Sequence, residues 1–458
     1  MNREIIDKIK NINGKKTQNP KACVITFGCQ QNESDSEKIK GMLNFMGYEI
    51  DGCLDLCEVI VVNTCAVREH AELKTFSRVG NLKNRKQKNK DLIIGICGCM
   101  AEQEHTLDYI RESLSFVDFT LGARSLFAFP EIFYETLINK TKSIKKENLQ
   151  TDIIDEELPA KRDSSFKAWV SVMYGCDNFC SYCVVPYTRG RERSRSGEKI
   201  LDEITGLVNS GYKDITLLGQ NVNSYKDPQK TNYDFARLLG EIIKIKGDYW
   251  LRFITSHPKD ISDGLIWQMG ESEKFAHHIH LPVQAGSDRI LKLMNRGYTR
   301  ENYLALIDKL RNTVKDIAVT TDIIIGFPGE TESDFIETLD LVKLVKFDNI
   351  FPFIYSKRKN TPAEKMEDKI SRKEKTDRFA GLVKIQKEIS ADKNREYEGK
   401  TIKVLAEGEY KGDPGLLSGR TSSHKLTVFK GSAELFGSFV NVKINEGKLH
   451  GLYGEIVF

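Results

Sequence analysis

Short apolar runs alternate with amphipathic stretches in the first part of the chain. From Ala22 to about Pro130, each apolar run is followed by a polar turn and a helical pattern, and the runs are ACVITF, EVIVV, LIIGI and FVDFTL. This rhythm is typical of a parallel α/β sheet. We therefore predict an amino-terminal α/β domain over residues 21–138.

The pattern changes further along the chain. Residues 139–165 are densely and variously charged and predict a linker. Residues 166–394 contain six further apolar runs that alternate with helices, and they predict a partial parallel (β/α)6 barrel that ends in a charged helix. The six runs are AWVSVM, DITLLG, YWLRFI, HHIHLPV, IAVTTDIIIGF and NIFPFIYS. In residues 395–458, short alternating segments separated by glycine predict a small antiparallel β-barrel of about five strands.

Composition adds limits but no function. The 458 residues are 40% hydrophobic and 29% charged, which is typical of a globular protein. The amino terminus has no apolar signal-peptide core, and no run of eighteen apolar residues occurs, so we expect a cytoplasmic protein without a membrane partner. A net charge of +4 is too small to indicate a nucleic-acid partner, which has to be argued from local patches.

Cysteine placement indicates the chemistry. All ten cysteines lie in the first 183 residues, and in a reducing compartment they are expected to be metal ligands, catalytic thiols or core residues. Cys176, Cys180 and Cys183 lie in one loop after the AWVSVM strand. Three thiolates can hold three irons of a four-iron cluster and leave the fourth iron open to another ligand. The alternative is a zinc site with a fourth ligand from elsewhere.

A second set of three cysteines follows three predicted strands. Cys29, Cys65 and Cys99 come directly after the first three apolar runs, so a parallel sheet would bring their loops to one edge. The alternative is that each is a small buried hydrophobe. Cys23 and Cys97 fall inside strands and are predicted to be core residues. Cys53 and Cys57 receive no role.

Other polar clusters allow two interpretations. The HHIH segment contains His278 and His280, which share a strand face, and a strand at the barrel wall is favoured over a zinc site. Four arginines lie within seven residues after the cysteine loop, and they are predicted to contact RNA phosphates or to form a solvated, salt-bridged loop. These are Arg189, Arg191, Arg193 and Arg195.

The motifs resemble known families. CDNFCSYC is similar to the signature of the radical S-adenosylmethionine superfamily, in which the open iron binds S-adenosylmethionine. TFGCQQNESDSE, VVNTCAVREHAE and GCMAEQE resemble the amino-terminal domain of methylthiotransferases, in which three cysteines carry an auxiliary cluster. The last 64 residues resemble a TRAM domain, which binds tRNA.

The resemblance implies specific site residues. Cys29, Cys65 and Cys99 would hold an auxiliary 4Fe–4S cluster, and Cys176, Cys180 and Cys183 the radical cluster. The implied cofactor-binding residues are Tyr182, Gly219, Gln220, Asn221, Gly326, Phe327, Pro328, Gly329 and Glu330. Arg420, Lys425 and Lys430 join the four loop arginines as implied RNA contacts.

The resemblance also implies a reaction. The motifs are closest to the family members that methylthiolate carbon 2 of N(6)-dimethylallyladenosine at tRNA position 37. Such an enzyme uses two S-adenosylmethionine molecules per turnover, one for the methyl group and one for the radical, and takes electrons from a donor such as flavodoxin or ferredoxin. We expect a monomer. Ala285, Asn360 and the Ser423-His424 pair depart from the family pattern.

Two other functions remain open. Relatives within the family act on threonylcarbamoyl-adenosine in tRNA or on an aspartate of a ribosomal protein. A non-catalytic RNA-binding protein with structural zinc is the alternative outside the enzymes.

Overall fold

The computed structural model describes residues 2–66, 69–140, 142–144, 154, 156–411, 413 and 415–457. Much of the predicted linker, including residues 145–153, therefore lies outside the described residues. The chain forms two compact units. Unit 1 comprises Met1–Asp163, Met173–Asp177 and Cys183–Arg195, and unit 2 comprises Ser164–Val172, Asn178–Tyr182 and Ser196–Phe458. The predicted four-part domain division stays a prediction.

Unit 1 is built on a parallel sheet. Within its described residues, the sheet has five strands in the order β2-β1-β3-β4-β5. They are β1 (Lys21–Thr26), β2 (Glu49–Ile50), β3 (Val59–Thr64), β4 (Ile93–Gly98) and β5 (Phe119–Gly122). The prediction of a parallel α/β sheet from the four apolar runs is confirmed, and β2 is a short edge strand that the sequence analysis missed.

Helices cover both faces of this sheet. They are α1 (Arg3–Asn13), α2 (Gln30–Phe45), α3 (Glu69–Gly80), α4 (Lys83–Lys88), α5 (Glu104–Ser113) and α6 (Phe129–Asn139). Every residue of β3 and β4 is buried, as expected for parallel strands packed on both sides. One face packs on Phe119, Phe129 and Phe133, and the other on Ile110 and Val117. Helix α1, which the sequence analysis missed, inserts its apolar side into the first of these cores.

The remaining part of unit 1 flanks the predicted cysteine loop on both sides. It contains β7 (Met173–Tyr174), α7 (Val185–Arg189) and β8 (Arg193–Ser194), and β7 pairs with β8 in an antiparallel ladder. Strand β6 (Lys167–Ser171), which lies between β5 and β7 in the sequence, belongs to unit 2.

Unit 2 contains the predicted parallel barrel strands. Its described residues form two three-stranded parallel sheets, in the orders β10-β9-β6 and β11-β12-β13. The further strands are β9 (Asp214–Leu218), β10 (Trp250–Phe253), β11 (His278–His280), β12 (Ala318–Ile325) and β13 (Asn349–Ile354). An isolated parallel bridge joins Leu251 of β10 to Phe275, which lies just before β11. All six predicted runs are therefore strands.

Helices of unit 2 alternate with these strands. They are α8 (Gly197–Asn209), α9 (Phe235–Ile242), α10 (Asp263–Gly270), α11 (Asp288–Leu293), α12 (Arg300–Thr313), α13 (Glu332–Val345) and α14 (Arg372–Arg395). Helix α14 is the charged helix predicted from the sequence. Its cap residue Ser371 accepts a hydrogen bond from the Glu374 backbone N–H, which satisfies a donor at the helix start.

The last residues form the predicted small barrel. In its described residues, five strands close in the order β14-β15-β16-β18-β17. They are β14 (Thr401–Glu409), β15 (Leu416–Thr421), β16 (Leu426–Lys430), β17 (Phe439–Lys448) and β18 (Gly451–Ile456). One detail of the prediction is wrong: β16 and β18 pair in parallel, because closure of the barrel brings two strands of the same direction together.

Within unit 2 the small barrel packs against the amino-terminal ends of the parallel strands. Trp250 at the start of β10 contacts Phe439, with ring centroids 4.6 Å apart. Arg252 donates hydrogen bonds to the carbonyl oxygens of Thr421 and Ser422 at 2.9 Å. The carboxyl-terminal ends of the parallel strands, where such folds bind ligands, are therefore the opposite ends from those that the small barrel covers.

Candidate functional site

The strand order of unit 1 brings three cysteine loops to one sheet edge. Strands β1, β3 and β4 are adjacent and parallel. Cys29 follows β1 as the cap residue of α2, Cys65 follows β3, and Cys99 follows β4. All three residues therefore lie beyond the carboxyl ends of neighbouring strands, as the sequence predicts.

Cys29 and Cys65 are in direct contact. A hydrogen bond with Cys65 lowers the pKa of the Cys29 thiol to about 6, helped by Arg189 and by backbone N–H groups at the start of α2. Gly28 makes this approach possible: its φ is +131°, and a Cβ there would lie 2.6 Å from the Cys65 Cβ. This pair therefore favours a thiolate, the form that binds iron.

Asn32 organises the same edge. Its side-chain amide donates to the carbonyl oxygen of Thr64 at 2.7 Å, and its Oδ1 accepts from the Cys29 thiol at 3.4 Å. Because Asn32 is fully buried, it holds the ends of β1 and β3 at a fixed distance from α2. No earlier inference assigned it a role, although it stands three residues after a cysteine in the TFGCQQN motif.

Cys99 lies beside a buried arginine. Burial raises the pKa of the Cys99 thiol, and the guanidinium of Arg189, which hydrogen bonds with it, opposes that shift. The Cys99 side chain also packs against Ala66, Met100 and Val184. The donor set of three thiols with an adjacent cation fits an iron–sulfur cluster.

A single metal ion fits less well. Among the residues that the structure describes, no three or more His, Cys, Asp or Glu side chains lie close enough to hold one ion. In a four-iron cluster each thiolate binds a different iron, so the sulfurs need not converge on one point. The chemistry of the donor set therefore favours a cluster over zinc at this edge.

The second cysteine triad lies within residues 176–183, whose members are assigned to different units. Cys176 and Cys183 belong to unit 1, and Cys180 belongs to unit 2. In unit 1 the backbone N–H of Cys176 donates to the Gly190 carbonyl at 3.1 Å. Gly175 permits this turn, since its φ is +79° and a Cβ would lie 1.9 Å from the Arg191 carbonyl oxygen.

The Cys180 segment is clamped within unit 2. Ser181 donates from its backbone N–H to the Met294 carbonyl at 3.0 Å and from its hydroxyl to the Leu293 carbonyl at 2.8 Å. Asn295 donates to the carbonyl oxygens of Asn178 and Phe179. These bonds fix the backbone on both sides of a cysteine, as a preorganised metal ligand requires.

Arg296 contacts the Cys180 thiol directly. It is 4% exposed, its Nη1 lies 3.3 Å from the Cys180 sulfur, and its Nη2 donates to the Pro282 carbonyl at 2.8 Å. A cation buried against a thiol stabilises the thiolate. The sequence analysis missed Arg296, because a lone arginine more than a hundred residues from the cysteines carries no local signal.

The predicted cofactor residues of unit 2 lie at strand carboxyl ends. Gly219, Gln220 and Asn221 follow β9, and Gly326 to Glu330 follow β12. Tyr182 packs edge-on to Phe327 with ring centroids 6.5 Å apart. The structure thus brings the Tyr182 ring to the loop after β12.

Glu330 is turned toward its own loop. Its Oε2 accepts from the Gly326 N–H and from Arg378, both at 2.8 Å. Burial raises the pKa of Glu330, and these two donors oppose that shift. Its side chain therefore shapes the Gly326–Glu330 turn, where φ of Gly326 is +68° and φ of Gly329 is +85°.

Several buried polar atoms at these strand ends lack a protein partner. They are Oδ1 of Asn221, both side-chain polar atoms of Asn223, Oγ of Ser256, Nε2 of His257 and Oε1 of Gln284. Leaving such groups unpaired is costly, so their concentration beyond β9, β10 and β11 indicates a ligand site.

His257 offers a hydrogen-bond donor to that site. Burial lowers the pKa of His257 to about 2, so the ring is neutral. Its Nδ1 accepts from the Lys259 N–H at 3.3 Å, which leaves the proton on the unpartnered Nε2. His257 was absent from the predicted site residues, although it follows a strand in the SHPKD motif.

A polar chain crosses the face shared by β11, β12 and β13. His278 and His280 both contact the Thr320 hydroxyl at 3.0 Å, which confirms that the two histidines share one strand face. The Nε2 of His280 lies 3.4 Å from Asp322, and its ring packs edge-on to Phe351. Phe351 is 45% exposed, which is unusual for an aromatic side chain on a barrel strand.

Three of the seven predicted RNA contacts are buried. Arg189, Arg195 and Lys425 form ion pairs with Asp35, Glu156 and Asp348, respectively. These side chains are directed at carboxylates, and RNA binding by any of the seven residues stays a prediction. Arg191 and Lys430 are exposed, and Arg193 and Arg420 are half-buried.

The other four cysteines lie outside both triads, and two of them are core residues, as predicted. Cys23 and Cys97 lie inside β1 and β4 and are buried in the sheet cores. The Cys57 thiol donates to the Cys53 carbonyl at 3.3 Å, and Cys53 is exposed.

In the described part of the chain, no helix has the length and apolar character of a membrane span.

Family profiles match three parts of the chain. Residues 170–342 match the Radical SAM superfamily, residues 21–122 match Uncharacterized protein family UPF0004, and residues 395–457 match the TRAM domain. These ranges follow the parallel strands of unit 2, the sheet of unit 1 and the small barrel.

Curated relatives are similar over nearly the whole chain. A tRNA-2-methylthio-N(6)-dimethylallyladenosine synthase of Thermoanaerobacter sp. (strain X514) is 49% identical over 438 residues, which cover 94% of this chain and 92% of the relative. Proteins of the same name from Acetivibrio thermocellus and Clostridium perfringens (strain 13 / Type A) are 47% and 49% identical, covering 99% and 95% of this chain and 95% and 97% of the relatives.

Among solved structures, a radical S-adenosylmethionine methyltransferase, TsrM, from Kitasatospora setae is similar in fold. The TM-score is 0.55 at 13% sequence identity, and the match covers 88% of this chain and 81% of that one. At this identity the likeness concerns the fold alone.

Proposed function

The chain belongs to the tRNA-2-methylthio-N(6)-dimethylallyladenosine synthase family of radical S-adenosylmethionine enzymes, and we propose that it methylthiolates carbon 2 of N(6)-dimethylallyladenosine at position 37 of tRNA. It is an enzyme with two 4Fe–4S clusters and S-adenosylmethionine as cofactors. The observation that carries the proposal is the meeting of Cys29, Cys65 and Cys99 at one sheet edge, in a chain that also has the Cys176, Cys180 and Cys183 loop.

Each triad supplies three thiolates for one cluster. When bound, the clusters and two S-adenosylmethionine molecules per turnover would supply the radical, the sulfur and the methyl group. The protein holds the thiols in place: Gly28 lets Cys29 approach Cys65, and Ser181 anchors the segment that contains Cys180. Because each triad provides three thiolates for four irons, one iron of each cluster has no cysteine ligand.

The loops after β9 and β12 hold S-adenosylmethionine in unit 2. Tyr182 and Phe327 provide aromatic surface for an adenine ring. The residues Gly219, Gln220, Asn221, Pro328 and Gly329 lie on the same two loops. Asn221 is positioned by Asp260, which accepts its amide N–H at 2.7 Å, while its Oδ1 stays available.

The half-exposed face of β11 to β13 suits the target nucleoside. Unstacked RNA bases bind by stacking on aromatic side chains and by hydrogen bonding along their edges. Phe351 and His280 provide the rings, and Asp322 provides an acceptor beside them. This face therefore supports recognition of a single flipped purine inside the barrel.

Exposed and half-buried basic side chains would bind the tRNA backbone. We assign this contact to Arg191, Arg193, Arg420 and Lys430, because phosphate contacts require accessible cations. The one-electron reduction needs a donor such as flavodoxin or ferredoxin. We further propose that the chain acts as a monomer in the cytoplasm, where its tRNA substrate is found.

Mass spectrometry of tRNA nucleosides tests the function. The chain is expressed in a bacterial strain that lacks its own methylthiotransferase and accumulates N(6)-dimethylallyladenosine. We expect conversion to the 2-methylthio derivative, and about eight irons per anaerobically reconstituted chain. Replacing Cys29, Cys65 and Cys99 with alanine should leave about four irons, retain reductive cleavage of S-adenosylmethionine and abolish the product.

A matched control is available in Cys53→Ala, which removes an exposed thiol outside both triads. It should keep full iron content and activity. Unchanged precursor with about eight irons bound would contradict the substrate assignment. Product on threonylcarbamoyl-adenosine tRNA or on a ribosomal protein would then support the other family activities, and bound zinc without visible absorbance would exclude the enzyme.

A further inference from the structure

Arg189 is buried in the cysteine edge of unit 1. Its side chain is 4% exposed, although Arg191, two residues later, is exposed. Its Nη2 donates to Asp35 Oδ2 at 2.9 Å and to Asn32 Oδ1 at 3.1 Å. Both acceptors lie on α2, the helix that Cys29 caps. Two side chains of α2 therefore hold the Arg189 guanidinium in place.

The same guanidinium interacts with two cysteines of the triad. It hydrogen bonds with Cys99 and attracts the Cys29 thiolate. Asn32 Oδ1, which accepts from Arg189 at 3.1 Å, also accepts from the Cys29 thiol at 3.4 Å. One buried cation therefore faces two of the three sulfurs.

A set of three thiolates concentrates negative charge, and two of its members, Cys65 and Cys99, are buried. Buried charges are stable only when they are paired and hydrogen bonded. Residues that contact metal ligands from behind fix the ligand geometry and tune the redox properties of the metal. Asp35 partly neutralises the guanidinium, so the charge that the sulfurs experience depends on both residues.

We infer that Arg189 is the positioning residue and counter-ion of the Cys29, Cys65 and Cys99 cluster site, with Asp35 holding its guanidinium and moderating its charge. This inference rests on the proposed function, because it requires a cluster on these three thiols. It replaces the prediction that Arg189 contacts RNA. Arg189 also lies six residues after Cys183, so one short segment carries a radical-cluster ligand and the counter-ion of the auxiliary site.

The reduction potential of the auxiliary cluster tests the inference. The background is a full-length chain with Cys176, Cys180 and Cys183 replaced by alanine, so that the auxiliary cluster alone is reconstituted. Its reduction is followed by electron paramagnetic resonance during a redox titration, with iron content measured in parallel. The comparison covers Arg189→Gln, Arg189→Lys and Asp35→Asn, with Arg195→Gln as the matched control.

The expected shifts have opposite signs. Loss of the cation in Arg189→Gln should shift the equilibrium constant of cluster reduction at least tenfold toward the oxidised cluster. For one electron, a tenfold shift lowers the reduction potential by 59 mV. Asp35→Asn removes a negative charge from the guanidinium and should move the potential upward. Arg189→Lys keeps the charge and should stay near the parent. Arg195→Gln removes a cation of the same segment that pairs with Glu156, and should leave the potential unchanged.

Several outcomes would overturn the inference. These are a parent-like potential in Arg189→Gln with about four irons bound, equal shifts in Arg189→Gln and Arg195→Gln, or shifts of the same sign in Arg189→Gln and Asp35→Asn. If Arg189→Gln does not bind iron, the other two variants decide: a shifted potential in Arg189→Lys, or an unchanged or lower potential in Asp35→Asn, would overturn the inference. Absence of auxiliary iron from the parent itself would instead refute the proposed function, and the inference with it.

RNA binding provides a second readout. A structural counter-ion does not touch tRNA, so Arg189→Gln should bind tRNA with parental affinity and parental salt dependence. A phosphate contact would lower the affinity and reduce the salt slope by about one. That result would return Arg189 to the RNA-binding residues.

Discussion

Lys425 was predicted to contact RNA, but the structure makes it part of the interior of unit 2. Its ammonium group lies 2.9 Å from Asp348 Oδ1 and donates to Asn394 Oδ1 at 3.0 Å. The side chains of Lys425 and Asp348 are 8% and 9% exposed. The pair ties the small barrel to the end of α14 and to the start of β13. We therefore expect Lys425→Met to affect stability rather than RNA affinity.

The magnitude follows from the charge that the substitution leaves behind. Removing one partner of a buried ion pair costs about 3–5 kcal/mol, because the other charge stays buried. Lys393 lies 3.4 Å from Asp348 and remains, so we expect about 2–4 kcal/mol for Lys425→Met. Adding Asp348→Asn should recover part of this loss, since the uncompensated charge is removed.

Asp348 also gives a pH dependence of known sign. Burial works to raise the pKa of Asp348, but Lys425 and Lys393 outweigh it and hold the pKa below its usual value. This contribution to stability is therefore present above the ordinary aspartate pKa and is lost as the pH falls through the lowered one. Lys425→Met should weaken that acid dependence.

Urea unfolding followed by tryptophan fluorescence measures the effect, because Trp169, Trp250 and Trp267 all lie in unit 2. The matched control is Lys430→Met, which changes an exposed lysine of the same barrel and should alter stability by no more than about 0.5 kcal/mol. Equal stability of the two variants would refute the reasoning. So would a loss of tRNA affinity in Lys425→Met without a loss of stability.

Two further changes probe the sites themselves. Gly28→Ala should lower the iron content from about eight toward about four per chain, because a Cβ would lie 2.6 Å from the Cys65 Cβ and the φ of Gly28 is +131°. The control is Gly206→Ala, because a Cβ at Gly206 would have no neighbouring atom within 4 Å. Equal iron content in the two variants would contradict the expectation. His257→Leu should weaken binding of S-adenosylmethionine or of tRNA about tenfold, because it removes a buried donor worth about 1–3 kcal/mol. His257→Gln should restore part of that affinity through its amide N–H, and separate titrations of the two ligands identify which one His257 contacts; unchanged affinity for both would exclude His257 from the ligand site.

Local pattern was enough to predict most of the strands. The runs that became β1, β3, β4 and β5 are mostly apolar, because both faces of a parallel sheet are covered. Helix α1 was missed for the opposite reason: it precedes the first strand, and only a few apolar residues such as Ile6 and Ile9 mark its buried side. The parallel β16–β18 pair depends on barrel closure, which no local pattern encodes.

The candidate site also contains residues that a local pattern could place and residues that it could not. Cysteines could be placed from the sequence because each follows a strand, and strand order then brings Cys29, Cys65 and Cys99 together. Arginines could not be placed, since a basic side chain is equally compatible with a phosphate and with a buried carboxylate. Arg189 lies beside the Cys99 thiol and Arg296 beside the Cys180 thiol, although 90 and 116 residues separate the members of the two pairs in the sequence.

This difference has a physical origin that applies to both arginines. A guanidinium is always charged, and its planar set of donors can satisfy several acceptors at once, so it is suited to burial beside thiolates. Its burial depends on acceptors supplied by distant elements: Asp35 and Asn32 for Arg189, and the Pro282 carbonyl for Arg296. Each thiol triad thus has a fixed cation beside it: Arg189 faces Cys99 and Cys29, and Arg296 faces Cys180. The positive charge that the sequence assigned to RNA is, for Arg189, directed at sulfur.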